Sequence, residues 1–286
     1  MAEFENLEFE IAPALTMRGR RYPGGSKTLA VCLPGLTRNA GDFEELAPKI
    51  AATGRDVLAL NLRGRGASDY DPEIKNYFPT IYRDDVLSAL DQLNAREAVF
   101  VGTSLGGIIT MMVNEKAPQR VKAAVLNDIG PDLAPEGIAR IAAYVGDSVS
   151  AGPARSIEEA VARIKAINLT AFPDASEDQW LNFAHRTFTQ TKDGEWTLDY
   201  DPNISRALME NGPAPDLWPA FASLKSTPTL LIHGAISDLL TPPIVEKMRG
   251  VHPCFDYASV PRIGHAPMMT EPAAWEALEG FLSKID

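Results

Sequence analysis

Ser104 stands in the run AVFVGTSLGG, with Gly102 two residues before it and Gly106 two after. Glycines at both offsets remove the side chains that would crowd a serine on a sharp turn from a buried strand into a helix. Such a turn pushes the hydroxyl out at the end of the strand in a strained backbone conformation. The helix that follows then aims its positive N-terminus at whatever the oxygen attacks. A hydroxyl is a weak nucleophile and needs a base that is itself oriented by a third group. These requirements describe acyl transfer by a nucleophilic serine.

The chain has four histidines: His185, His233, His252 and His265. His185 falls within a helical pattern, His233 ends the apolar strand TLLIHG, and His252 precedes a strand at the opposite edge. His265, in RIGHAPMM, follows the last strand pattern and precedes the last helix, so elimination and position make it the base. Two carboxylates stand at the same edge. Asp238, in HGAISDLL, gives the chain order Ser, Asp, His and is the preferred acid; Asp128, in VLNDIGP, is the alternative and stays open. The acid would hold the imidazole in its productive tautomer and stabilise the imidazolium. The oxyanion needs fixed donors. The backbone N–H of Leu105, just after the serine, is one. The second is assigned to Leu36, in LPGLTRN, where Gly35 lets the chain bend toward the site.

The elements that must carry these residues follow from the pattern of apolar residues. LEFEIA and LTMRGRRY alternate as an opening pair of strands, and TLAVCL, DVLALNL, AVFVGT and VKAAVLN read as buried strands separated by helical segments. Strand and helix in turn imply a parallel sheet with helices on both faces. After Pro131 the rhythm breaks into helical stretches and one hairpin turning at Asp193-Gly194. It resumes at TPTLLIHG, FDYASV and a closing helix. The organisation is one α/β core, residues 1–131 and 216–286, interrupted by a mainly helical cap over residues 132–215. The interruption starts at the carboxyl edge of the sheet, where open α/β sheets bind ligands.

Composition narrows the partners. A net charge of -11 lacks the positive surface that nucleic acid demands; the same balance disfavours anionic membranes. Cys32 and Cys254 form neither a disulfide framework nor a metal pattern, and Cys32 lies in a core strand. The first residues, MAEFENLEFEIAP, have neither the basic start nor the apolar run of a signal peptide or membrane span. A cytoplasmic protein acting on a small molecule is the expectation. Nothing in the sequence indicates an oligomeric state.

Four segments in order, LPGL, NLRGRGASD, GTSLGG and HGAISDLL with GHAP, make the chain resemble the α/β-hydrolase fold family over nearly its whole length. The resemblance implies a mostly parallel eight-stranded sheet, a cap inserted after the sixth strand, Ser104, Asp238 and His265 as a triad, and no metal or organic cofactor. Two departures are visible. Pro34 precedes Gly35 where many members have histidine, and Asn61 replaces the usual aspartate of the D-x-R-G-x-G-x-S turn, while Arg63, Gly64, Gly66, Ser68 and Asp69 remain. Serine at 104, where dehalogenases and epoxide hydrolases of this fold carry aspartate, points away from both.

The implied activity is hydrolysis of a small to medium, moderately hydrophobic carboxylic ester or lactone through an acyl-enzyme. Trp180, Phe183, Phe188, Met268 and Met269 are candidates for the pocket wall. The alternatives are a carbon–carbon bond hydrolase of a diketone-type substrate, which uses the same residues, and a non-catalytic receptor for a small ligand.

Overall fold

The structure, a computed structural model, describes residues 3–210 and 215–285. The chain opens with β1 (Glu5–Ala12), β2 (Leu15–Leu33), α1 (Leu46–Ala51), β3 (Arg55–Asn61), α2 (Pro79–Gln92), β4 (Ala98–Thr103), α3 (Leu105–Lys116) and β5 (Val121–Asn127). Helices α4 (Pro135–Ser150), α5 (Ile157–Asn168) and α6 (Glu177–His185) follow, then β6 (Phe188–Gln190), β7 (Trp196–Leu198), α7 (Asn203–Glu210) and α8 (Trp218–Ser223). The chain closes with β8 (Thr229–Gly234), α9 (Pro242–Val251), β9 (Asp256–Val260) and α10 (Pro272–Leu282).

The main sheet has seven strands in the order β1-β2-β4-β5-β8-β9, with β3 paired to β2. The difference from the eight expected lies in β2. Its first half pairs Arg18 through Tyr22 with Asn61 through Val57, in opposite directions, while Ala30 through Cys32 pair with Val57 through Ala59 in the same direction. One long strand thus doubles back at Pro23-Gly24-Gly25 and fills two places, one on each side of β3. The pairs β2–β4, β4–β5, β5–β8 and β8–β9 are all parallel.

The buried strands are apolar because both faces are covered. Alternate residues serve alternate faces. Val31, Leu33, Leu58, Leu60 and Phe100 join α2, α3 and α8 in one core. Ala30, Cys32, Val57, Ala59 and Val99 join α1 and α10 in the other. Helix α3 reads apolar almost all round because it is walled in by the sheet, α2 and α8.

The helical segment follows β5 directly. Two of its helices start on side-chain caps: Ser156 accepts from the Glu159 amide, and Ser176 forms a capping box with Gln179. It buries its own small core of Ala160, Ile164, Trp180, Ala184 and Phe188. The β6–β7 hairpin carries Gly194 at φ 86°, as the Asp193-Gly194 turn requires. Of the expected cap, residues 211–214 lie outside the described residues. Among the described residues no helix is long and apolar enough to cross a membrane.

This topology dictates where chemistry can occur. From β2 the chain goes first to β3 on one side and then to β4 on the other, leaving a crevice at the carboxyl ends of β2 and β4. The Leu36 turn follows β2, Ser104 follows β4, and Asp128 follows β5.

Candidate active site

Ser104 links β4 to α3 at φ 52° and ψ −115°, a conformation that L residues rarely adopt. The glycines around it are required by contact. A Cβ on Gly102 would lie 2.4 Å from the Gly106 carbonyl, and one on Gly106 would lie 2.1 Å from the Leu33 carbonyl oxygen. The strand and helix cross so closely that no side chain fits between them. The Ser104 amide donates to the Asn127 carbonyl at 3.1 Å, fixing the turn to β5.

His265 Nε2 lies 2.9 Å from Ser104 Oγ, and its Nδ1 lies 2.9 Å from Asp128 Oδ2. A carboxylate can only accept, so Asp128 places the imidazole proton on Nδ1 and leaves Nε2 to accept from the serine. Asp128 is 0% exposed and is held by two further donors, the Gly234 amide at 2.8 Å and the Ser237 hydroxyl at 2.6 Å. A buried carboxylate needs such donors to offset its desolvation.

Asp238, preferred as the acid on sequence grounds, is not the carboxylate that reaches His265. Asp238 makes a bidentate ion pair with Arg140 of α4, at 2.5 and 2.8 Å, and does not bond His265. The Arg140 guanidinium, together with its positive charge, holds the Asp238 carboxyl below the usual carboxylate range. Both aspartates sit at the same sheet edge, and the deciding partner, Arg140, is 98 residues away in sequence. Asp128, the open alternative, is the one brought to His265.

The remaining histidines sit elsewhere. His233 bonds the Tyr257 hydroxyl and the Leu240 carbonyl. His252 packs among Phe221 and Phe255, and burial pushes its pKa down. His185 stacks edge-on against Trp196.

The turn after β2 reaches the nucleophile: a Cβ on Gly35 would lie 3.8 Å from Ser104 Cβ. Among the described residues, neither the Leu36 nor the Leu105 amide donates to a backbone acceptor. The Leu36 carbonyl faces the other way and accepts from Arg65 Nε at 2.9 Å. Asn61 shows why its turn tolerates the loss of aspartate: its Oδ1 accepts from the Ala40 amide and its carbonyl from Ser68, both neutral bonds.

Two residues that sequence reasoning did not single out tie the site together. Asn127 Nδ2 donates to Thr103 Oγ1 at 3.0 Å and to the Pro267 carbonyl at 2.7 Å, joining the loops of Ser104, Asp128 and His265. Ser237 secures Asp128 from the loop after β8. A polar residue closing a buried strand is the only signal in the sequence for Asn127. For Ser237 there is none.

A cavity of about 780 Å³ opens over Ser104 and His265. Its wall is mainly apolar, with Ile108, Ile138, Phe172, Phe183 and Leu239 among its residues, and it includes Arg38 and Arg140. Each arginine is matched by a carboxylate, Asp42 and Asp238. Phe188, Met268 and Met269 also line the cavity, whereas Trp180 is spent on the small core of the helical segment.

The comparisons with known proteins agree with this architecture. The α/β-hydrolase fold family matches residues 31–272. A 3-hydroxybutyrate-oligomer hydrolase from Cupriavidus necator is 34% identical over 254 residues, covering 85% of this chain and 84% of that protein. A 2-(acetamidomethylene)succinate hydrolase from Mesorhizobium japonicum is 27% identical over 244 residues, covering 84% and 82%. The crystal structure of an α/β hydrolase from Novosphingobium aromaticivorans superposes with a TM-score of 0.92 at 37% identity, covering 99% of each chain. The chain belongs to the α/β-hydrolase fold family and is a hydrolase of that fold.

Proposed function

We propose that this hydrolase cleaves carboxylic esters through an acyl-enzyme on Ser104. The observation that carries the reading is the continuous hydrogen-bonded chain Ser104–His265–Asp128 beneath the cavity. In the proposed reaction Ser104 Oγ attacks the ester carbonyl while His265 Nε2 takes its proton. Asp128 holds the imidazolium through Nδ1–H. The Leu36 and Leu105 amides receive the oxyanion, and His265 returns the proton to the departing alkoxide. Water, activated by His265, then releases the acid and restores Ser104.

The substrate class that fits is a short oligoester of a hydroxy acid. Two features support it. The relative from Cupriavidus necator carries the name of a 3-hydroxybutyrate-oligomer hydrolase. The cavity is also larger than one short acyl group needs and mainly apolar, with a few polar groups near the nucleophile. Residues 132–215 act in this reading as a cap that supplies part of the cavity wall and keeps bulk water from the acyl-enzyme.

The test is turnover of 3-hydroxybutyrate dimer and trimer beside p-nitrophenyl butyrate, with Ser104→Ala as control. The expected outcome is hydrolysis of all three, lost in the variant. Covalent labelling of Ser104 by a phosphonate without turnover of any ester would replace ester hydrolysis with carbon–carbon cleavage or simple binding.

A further inference from the structure

Arg65 is a buried cation that the proposed chemistry has not used. It is 0% exposed and rests 4.6 Å over the ring of Tyr82. Its neighbour in the same turn, Arg63, is neutralised by two buried carboxylates, Asp71 and Asp85. Arg65 forms no ion pair among the described residues. Its Nε donates to the Leu36 carbonyl at 2.9 Å and its Nη1 to the Arg63 carbonyl at 2.7 Å. Its Nη2 is buried without a hydrogen-bond partner. A desolvated guanidinium with no counter-charge is costly to keep. Two backbone carbonyls alone would be served as well by neutral donors.

We infer that Arg65 is a positioning residue for the oxyanion site, anchoring the turn at the Leu36 carbonyl so that the Leu36 amide, one peptide group earlier, stays directed at Ser104. The inference rests on the ester-hydrolase reading above, which assigns the Leu36 amide to the oxyanion. The peptide group that carries the Leu36 amide is held at the Gly35 carbonyl by the Arg38 amide at 3.2 Å, and the next peptide group is held at the Leu36 carbonyl by Arg65. Arg65 supplies the constraint from a rigid base. The Arg65 amide donates to the Leu62 carbonyl, and residues 64 and 66 on either side bond Asp201 and Asp199 of the returning helical segment. A fixed cation behind the turn also favours the negative charge that develops in front of it, because Arg65 is fully buried and its field is little screened.

The same arrangement explains the sequence. Arg65 occupies a variable place in the R-G-x-G turn, where sequence alone assigns no role. The fold carries that turn beneath the Leu36 turn, from the end of β3 to the end of β2.

The test compares wild type with Arg65→Met, which keeps the stem and removes charge and donors. Three quantities are read: kcat and KM for p-nitrophenyl butyrate, and inhibition by butylboronic acid, whose serine adduct is a tetrahedral anion. The expected result is a fall in kcat of about 10- to 100-fold, an equal weakening of the boronic acid, and KM within about threefold of wild type. A folded variant with kcat and boronic acid affinity within about threefold of wild type would overturn the role. So would a rise in KM at constant kcat, which would make Arg65 only a support for the cavity wall.

Should Arg65→Met fail to fold, Arg65→Lys decides. One ammonium cannot hold both carbonyls in the arginine geometry. Its kcat and boronic acid affinity should both fall at least about threefold at constant KM, and wild-type values would overturn the inference. Retained turnover in Ser104→Ala would instead defeat the ester-hydrolase reading, independently of Arg65.

Discussion

His265 Nδ1 lies 2.9 Å from Asp128 Oδ2, whereas Asp238, at the same edge of the sheet, is held by Arg140. In the proposed mechanism the acid that orients the base therefore comes from the end of β5. Asp128→Asn should lower kcat about 10³- to 10⁴-fold, because an amide can stabilise the wrong tautomer. Asp238→Asn loses an ion pair that is 40% exposed on the aspartate side and should stay within about threefold of wild type. Steady-state kinetics of the two variants decide between them; the reverse ranking would return the role to Asp238.

The nucleophile turn has no spare volume. Ala at Gly102 or Gly106 places a methyl within 2.4 Å or 2.1 Å of backbone atoms that cannot move independently. Each substitution should cost at least about 1–3 kcal/mol or prevent folding, measured by urea unfolding. Unchanged stability would mean that β4 and α3 are less closely crossed than described.

Asn127 is expected to matter through geometry. Asn127→Ala removes both bonds that join the Thr103 and Pro267 loops. It should lower kcat about 10- to 100-fold while phosphonate labelling of Ser104 slows but still reaches completion. Wild-type kcat would show that the loops are held without it.

Asp199 gives a pH signature. Burial pushes its carboxyl up to about 6, against the opposing fields of Arg20 and Arg38 and the bond from Asn39. A carboxyl whose pKa is raised by folding binds protons more tightly in the folded chain, so it destabilises the fold above about pH 6 and not below the ordinary carboxylate range. Asp199→Asn removes that penalty and should stabilise the protein by about 1–3 kcal/mol at neutral pH, with the gain fading as pH falls toward about 4. Thermal unfolding at several pH values measures it. A gain that persists at low pH, or a loss at neutral pH, would contradict the assignment.

Much of this site is legible in the residues themselves. Gly102, Ser104 and Gly106 announce the turn because a strained serine has a strict steric requirement. His265 is identified because only one of four histidines falls after the final strand at the correct edge. The run from Leu15 to Leu33 looks like two strands, and it serves as two although the backbone makes one. The residues favour Asp238 over Asp128 as the acid on chain order alone, because both aspartates follow strands at one edge. The arginine that claims one of them comes from the helical segment. Arg65 and Asn127 are hard to read for a related reason: their partners, among them the Leu36 and Pro267 carbonyls, are brought near only by folding.

The proposed reaction passes through a covalent intermediate at Ser104, and rapid quenching followed by intact-protein mass measurement tests that most directly. Mixed with p-nitrophenyl butyrate and quenched with acid during turnover, wild-type protein should gain one butyryl group, mapped to the peptide containing Ser104. Asp128→Asn should gain it far more slowly, and Ser104→Ala not at all. Turnover with no adduct on Ser104, or turnover retained in Ser104→Ala, would contradict the account.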